Sequence, residues 1–117
     1  MAKVYFGFAL ADSMFAGLEN GVGIRRWVST PEQVKELVGQ GLESCLNPSH
    51  AATIVAMQNR FGIAVDIPAT PPRVELRRGD SLIVMGVRGL PRLTDRHEYT
   101  AEEIASATFA FSIYEVE

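Results

Sequence analysis

Apolar positions along the chain recur with two periods, one typical of strands and one typical of helices. Runs rich in aromatic and β-branched residues predict strands at residues 3–9, 22–28 and 108–116, and the apolar run at residues 42–46 predicts a further short strand. In the last run, Phe109, Phe111 and Ile113 alternate with smaller or polar residues, as expected of a strand with one buried face. Residues 73–87 predict two further strands joined by a tight Gly79-Asp80 turn, which is the pattern of a β-hairpin.

Four other segments have helical spacing and helix-capping signals. They cover residues 11–20, 30–41, 49–61 and 100–107. Asp12 is expected to cap the first helix. Thr30 with Gln33 predicts a capping box on the second helix, and Thr100 with Glu103 predicts one on the fourth. Strands and helices in this order predict a mixed α/β (α+β) fold, with helices flanking a mixed sheet.

The length of 117 residues is that of one domain, so residues 1–117 are expected to form a single unit. No apolar run approaches the roughly 20 residues needed to cross a bilayer, and no signal-peptide pattern occurs at the N-terminus. A cytoplasmic location is therefore expected. Cys45 is the only cysteine, so it cannot form an internal disulfide, and its neighbours offer no charge that would stabilise a thiolate.

Arginines are concentrated in one part of an otherwise acidic chain. The formal net charge is −3 and the pI is near 5.4, which argues against a protein that coats long DNA or RNA. Six arginines nevertheless lie within one short segment: Arg73, Arg77, Arg78, Arg88, Arg92 and Arg96. Such a local cationic region suits a small anionic ligand better than a polymer, although an ordinary solvated face has the same charge pattern.

The stretch "NPSHAAT" places a histidine where a helix is predicted to begin. If that helix begins at Ser49, the amide groups near His50, Ala51 and Ala52 are unpaired and can receive a phosphate, and Thr53 adds a hydroxyl. The helix N-terminus lowers the pKa of His50, whereas a bound phosphodiester raises it again. In the alternative interpretation Ser49 only caps the helix, and His50 is a partly exposed residue without a chemical role.

The loop "RGLPRLTDRH" contains a second set of candidate residues. Arg88 and Arg92 flank Pro91 and can donate to phosphate oxygens from a restricted loop. Arg92 and Asp95 can instead form a local ion pair that orders the loop. His97 is interpreted as a surface residue. Two distant histidines and one cysteine do not make a recognisable ligand set, so no metal site and no cofactor are expected.

Five stretches also occur in the order and spacing of a known family: "KVYFGFALADSM", "SHAAT", "RVELRRGDSLIVMGVRGLPRLT", "YTAEEI" and "FSIYEVE". Together they cover nearly the whole chain. They resemble the viral ring nucleases, which act as type III anti-CRISPR proteins. The resemblance implies a homodimeric α/β protein that binds cyclic tetra-adenylate across its two-fold axis. It also implies that the protein linearises this second messenger without a metal and so switches immune signalling off.

The resemblance assigns roles to individual residues. His50 matches the histidine of a Gly-His-x-x-Thr-like motif, which protonates the departing 5′-oxygen after the 2′-hydroxyl attacks. Ser49 replaces the glycine of that motif, and Thr53 matches its threonine. Arg92 matches an arginine that stabilises the transition state, and Arg73 matches one that holds the ring. The predicted catalytic residues are therefore His50 and Arg92, and the predicted substrate-binding residues are Arg73, Thr53, Ala51, Ala52, Ser13, Arg88 and Asp95.

The chain also departs from the family pattern at positions that contact ligand. Phe8 stands where an asparagine is common, and Ala11 replaces a serine, although Ser13 follows closely. A glutamine that is usual in the later strand is missing from residues 85–87. Phe8 is expected either to stack on a base or to belong to the core. These differences bear on the identity of the ligand more than on the chemistry.

Two other functions remain open from the sequence. The first is a sponge or sensor that binds a cyclic nucleotide without cleaving it efficiently. The second is a small DNA-associated interaction protein, which the acidic pI and the lack of an evident recognition helix disfavour.

Overall fold

The computed structural model describes residues 3–18, 20–70, 72–91, 93 and 98–117. Within these residues the elements are β1 (Val4–Gly7), β2 (Ile24–Ser29), α1 (Pro31–Gly39), β3 (Glu43–Ser44), α2 (Ala51–Phe61), β4 (Ser81–Arg88), α3 (Ala101–Ser106) and β5 (Thr108–Val116). Two short 3-10 turns, Asp12–Phe15 and Pro48–His50, precede β2 and α2.

The strands form one mixed sheet in the order β2-β5-β4-β1-β3. β1 runs parallel to both β3 and β4, and β5 runs antiparallel to β2 and β4. The predicted mixed α/β fold of a single small domain is confirmed. Because β1, β3 and β4 are parallel, their C-terminal ends lie at the same edge of the sheet, which we call the carboxyl edge. Their starting points lie at the opposite, amino edge.

One face of the sheet, the helix face, carries the larger core. Alternate strand residues point towards it, among them Phe6, Ile83, Met85 and Phe111. Helices α1 and α2 cover this face with Val34, Ile54 and Met57, all at most 4% exposed. This packing places the start of α2 against the carboxyl edge of the sheet.

The second face is covered only in part. Tyr5, Leu82 and Val116 pack there against the 3-10 turn at Asp12–Phe15 and against Leu76. The Leu76 amide donates to the Met14 carbonyl at 2.7 Å, which fastens residues 72–77 over this face. The remainder of the second face, over β2, β5 and the end of β4, is an open groove.

The hairpin predicted at residues 73–87 is wrong. The turn itself exists, because Gly79 has a φ of 92° and the Asp80 amide donates to the Arg77 carbonyl at 2.9 Å. Residues 72–77, however, form no strand. Both edges of β4 are already hydrogen-bonded, one to β1 and one to β5, so no edge is left for a hairpin partner.

Helix boundaries were predicted with mixed success. Thr30 and Thr100 cap α1 and α3 as expected, and Glu103 completes the box on α3 by accepting from the Thr100 amide at 2.8 Å. The Gln33 side chain does not close a box on α1, because it accepts from the Ser29 hydroxyl at 2.6 Å. The predicted first helix is only the 3-10 turn at Asp12–Phe15, and the residue before Asp12 occupies its cap position.

Arg60 connects the last two helices. Its guanidinium donates to the carbonyls of Ile104, Ala105 and Ala107 at 2.8, 3.2 and 2.7 Å. These carbonyls lie at the C-terminal end of α3 and just after it, where helix carbonyls lack part of their intrahelical partners, although the Ile104 carbonyl also accepts from the Ala107 amide. Arg60 therefore fastens α3 to α2 and fixes where β5 begins.

Candidate functional site

His50 lies at the carboxyl edge, where the chain leaves β3 and turns into α2. Asn47 begins the turn, because its side-chain oxygen accepts from the Ser49 amide at 2.9 Å and Pro48 restricts the next residue. The imidazole of His50 folds back so that Nδ1 accepts from the Asn47 amide at 3.3 Å. The Phe8 ring, which follows the end of β1, meets the imidazole with centroids 4.4 Å apart and planes at 75°.

These contacts fix the ring orientation and the neutral tautomer of His50. Because Nδ1 accepts a hydrogen bond, the neutral imidazole carries its proton on Nε2. His50 is half-buried, and burial lowers the pKa of its imidazole below the ordinary value of 6.5. The site therefore holds a histidine that is largely neutral at pH 7 and offers an Nε2–H donor.

The amide groups at the start of α2 differ from the sequence prediction. The helix does not begin at Ser49, and Ser49 is not its cap. The His50 amide donates to the Asn47 carbonyl at 2.9 Å, and the Ala51 amide donates to the Pro48 carbonyl. A 3-10 turn thus uses two of the three amides that were expected to receive a phosphate, because the Asn-Pro sequence starts a tighter turn before the helix.

The first turn of α2 still places the predicted small residues next to His50. Ala51 is exposed, whereas Ala52 and Thr53 are half-buried. The hydroxyl of Thr53 makes no hydrogen bond to any residue that the structure describes. It is therefore available as a donor, and the contact of Thr53, Ala51 and Ala52 with a substrate stays a prediction.

Ser13 and Arg73 lie together on the second face of the sheet. They line a cavity of about 300 Å³ whose wall includes Cys45. The Arg73 side chain is 84% exposed, and its nearest acid is Glu75, at 3.8 Å. Burial and the nearby Glu43 raise the pKa of the Cys45 thiol to about 11, so the thiol stays protonated, as expected from its sequence context.

Arg88 lines the open groove on the second face. Arg26, which was not among the site residues predicted from the sequence, lines the same groove. Arg26 reaches across β5, where its guanidinium donates to the Tyr114 hydroxyl at 3.2 Å and to the Ser112 hydroxyl at 2.9 Å. The hydrogen-bond partners of the positively charged Arg26 guanidinium are therefore neutral hydroxyl groups. Arg88 is four residues beyond the level of the last β1 pairing at Val84, so it lies roughly 13 Å further along the sheet.

The candidate residues thus occupy three places in one chain. His50, Ala51, Ala52 and Thr53 lie at the carboxyl edge, Ser13 and Arg73 share a cavity, and Arg88 lines the open groove. The predictions for Arg92, Asp95 and His97 fall outside the described residues. In the described ranges, no cluster of three or more His, Cys, Asp and Glu side chains has a metal-binding arrangement. No helix in the described part of the chain is long and apolar enough to cross a membrane.

The structure shows the surroundings of Phe8 and of residues 85–87, two places where the sequence differs from the family pattern. Phe8 is half-buried, packs against the helix-face core and contacts His50. Where the glutamine is missing, Met85 is 1% exposed in the helix-face core, and Gly86 lines the groove with Arg88. Sequence reasoning also missed Asn47, although the Asn-Pro dipeptide is a recognised signal for the start of a turn.

Comparisons with known proteins inform the fold. No family model matches the chain, and no curated protein does either. Among solved structures, B116 of Sulfolobus turreted icosahedral virus is similar, with a TM-score of 0.67 and 16% sequence identity. The match covers 97% of this chain and 99% of that chain. At this identity the likeness concerns the fold alone, and it shows that a viral protein uses the same architecture over its full length.

Proposed function

We propose that the chain is a metal-independent ring nuclease that linearises a cyclic oligoadenylate, with cyclic tetra-adenylate as the first substrate to test. Cleavage would antagonise type III CRISPR signalling. The order of five sequence stretches supports this function, as does a fold shared with a viral protein. The observation that carries the proposal is the His50 imidazole, held between the Asn47 amide and the Phe8 ring beside an available Thr53 hydroxyl.

In the proposed reaction, a ribose 2′-hydroxyl attacks the adjacent phosphorus and the bond from phosphorus to the 5′-oxygen breaks. The departing oxygen takes a proton from His50, the proton of the 2′-hydroxyl passes to water, and the neutral imidazole regains a proton from solvent. The products are a linear chain with a cyclic 2′,3′-phosphate at one end and a 5′-hydroxyl at the other. A positioned acid of this kind contributes about 10²–10⁴-fold to the rate.

The acid form of His50 needs a proton on both ring nitrogens. Protonation of Nδ1 breaks the hydrogen bond from the Asn47 amide, and burial also opposes the charged form. A bound phosphodiester acts in the other direction, because its negative charge stabilises imidazolium. Substrate binding is therefore proposed to charge the histidine, which then donates a proton to the departing 5′-oxygen.

Most of the remaining proposed roles come from the resemblance, and the role of Arg88 comes from the two arginines of its loop. Arg92 would stabilise charge in the transition state, with Asp95 beside it. Arg73 and Ser13 would hold the ring, and Arg88 would contact a phosphate. The proposed homodimer places the ligand on a two-fold axis. A ring lying across two copies can contact the carboxyl edge of one and the cationic second face of the other, which fits candidate residues that are spread over one chain.

A cyclic-nucleotide sponge or sensor is the second candidate function. The neutral state of His50 favours it, because an imidazole that keeps its proton on Nε2 can hydrogen-bond a phosphate without transferring a proton. In this case the protein would bind the messenger and release it unchanged.

Incubation with cyclic tetra-adenylate in EDTA separates these functions. Linear products ending in a cyclic 2′,3′-phosphate support the nuclease. Tight binding with intact ligand recovered after hours selects the sponge. Salt-sensitive retention of duplex DNA, without affinity for the cyclic nucleotide, would reject both and select a DNA-associated protein.

A further inference from the structure

The carboxylate of Asp80 joins two backbone segments at the amino edge of the sheet. Asp80 is only 4% exposed, and its two oxygens accept from the Lys3 and Arg77 amides, each at 2.9 Å. The Ser81 amide also donates to the Lys3 carbonyl at 3.0 Å. Because backbone amides use both carboxylate oxygens, Asp80 fixes the points from which the Lys3 and Arg77 side chains extend.

A cavity of about 630 Å³ opens above this frame, and we call it the amino-edge cavity. Its floor is Tyr5, which is 5% exposed and packs into the second-face core. Tyr5 lines the cavity, and its hydroxyl has no hydrogen-bond partner in the ranges that the structure describes. Burial raises the pKa of the Tyr5 phenol, so the hydroxyl keeps its proton and can donate it.

Positive charge exceeds negative charge in this cavity. Glu75 lies between two guanidinium groups, 3.8 Å from Arg73 and 3.7 Å from Arg77, and these arginines are 84% and 75% exposed. One carboxylate therefore serves two cations, at long distances and in contact with water. Lys3 pairs with Glu43 at 3.2 Å, and this pair is also more than half exposed. Such pairs are weak, so an anion can displace them at small cost.

We propose that the amino-edge cavity binds a small phosphate-bearing molecule, with the phosphate held by Arg77, Lys3 and the Tyr5 hydroxyl. A phosphate offers several oxygens to a guanidinium fork, an ammonium group and a hydroxyl at once. The volume is in the range of cavities that hold ligands of nucleotide size. This site is separate from the His50 site, because Lys3 precedes β1 whereas His50 follows β3. It goes beyond the proposed cleavage of a cyclic nucleotide and does not depend on it, because the proposed phosphate contacts do not include Arg73, which lines this cavity as well.

The test uses pyrophosphate and AMP as probes, measured by calorimetry and by amide chemical shifts. We expect saturable binding of at least one probe with a Kd of about 1 mM or tighter, and the largest shifts at the amides of Lys3, Arg77 and Arg78, which line the cavity. Lack of saturation by both probes would overturn the proposal. So would shifts centred on residues outside the amino-edge cavity.

Three variants relate binding to the proposed contacts. Arg77→Gln should weaken binding about tenfold, and Tyr5→Phe, which keeps the ring, about threefold. Arg25→Gln removes the same charge from an exposed position on β2 and should change the Kd less than about twofold. Equal losses in Arg77→Gln and Arg25→Gln would show diffuse attraction and reject the site. Parent-like affinity in Tyr5→Phe would reject the proposed geometry.

Discussion

The Phe8 ring meets the His50 imidazole in a T-shaped contact, with centroids 4.4 Å apart. This contact joins the end of β1 to the turn before α2, two segments that are 42 residues apart in the sequence. It removes water from one side of the imidazole and leaves Nδ1 facing the Asn47 amide. We therefore expect Phe8 to position the His50 ring, and the alternative that Phe8 stacks on a base stays a prediction.

Replacing Phe8 should change the titration of His50. In Phe8→Leu the imidazole loses its aromatic neighbour and gains water, so its pKa should rise towards 6.5. An NMR titration of the imidazole C–H signals measures this pKa directly. Phe109→Leu is the matched control, because Phe109 contacts Phe61 and not His50. A His50 pKa that stays at the parent value in Phe8→Leu would show that Phe8 does not shield the ring.

The lowered pKa of His50 also predicts how stability depends on pH. The unfolded chain binds a proton near pH 6.5, whereas the folded chain binds it only at lower pH. Between these two pKa values the unfolded state holds more protons, so the free energy of unfolding falls as the pH drops through this window. The loss is complete once the pH is below the folded-state pKa.

A glutamine in place of His50 removes this dependence. Urea unfolding of the parent and of His50→Gln, measured at about pH 7.5 and about pH 5, should show a larger loss of stability in the parent. An equal or smaller loss in the parent would contradict the direction of the pKa shift.

Asn47 should stabilise the turn that carries His50. Its side chain accepts from the Ser49 amide, so Asn47→Ala should lower the free energy of unfolding by about 1 kcal/mol. Asn47→Asp keeps the acceptor and should stay close to the parent. Ser49→Ala removes a hydroxyl that donates to the same Asn47 side-chain oxygen, and it tests the alternative that Ser49 is the cap. Denaturant unfolding decides between them, and a larger loss in Ser49→Ala than in Asn47→Ala would assign the cap to Ser49.

Arg60 should contribute to stability through the carbonyls at the end of α3. Three carbonyls accept from one guanidinium, so Arg60→Ala should cost about 1–2 kcal/mol and shift the urea midpoint accordingly. Gln58→Ala, at an exposed position on the same helix, should stay within about 0.5 kcal/mol of the parent. If both variants lose the same stability, the contact to α3 contributes nothing specific.

The fold class and most elements could be predicted because their signals are local. Thr30 and Thr100 are local capping signals for α1 and α3, and the alternation in residues 108–116 predicts β5 correctly. The prediction of a hairpin at residues 73–87 failed because the pairing of β4 depends on distant parts of the chain. Residues 72–77 have a strand-like composition, but the partners of β4 come from the two ends of the chain, β1 and β5. Strand pairing over such distances leaves no pattern in a single sequence.

The site could be predicted only in part for the same reason. The histidine at a helix start is visible in the stretch "NPSHAAT", but its neighbours in space are not. Phe8 follows the end of β1, and Arg26 reaches the groove of Arg88 from the edge strand β2. The tighter turn at Pro48–His50, which occupies the His50 amide, depends on Asn47 and was not anticipated.

The measurement that tests the proposed function most directly is single-turnover cleavage of cyclic tetra-adenylate in EDTA by the parent and by His50→Ala. The parent should form linear products with a cyclic 2′,3′-phosphate. His50→Ala should bind the ligand but cleave it about 10²–10⁴-fold more slowly, and Gln58→Ala should match the parent. Cleavage by His50→Ala at the parent rate would contradict His50 as the acid, and an intact ring after incubation with the parent would contradict the nuclease itself.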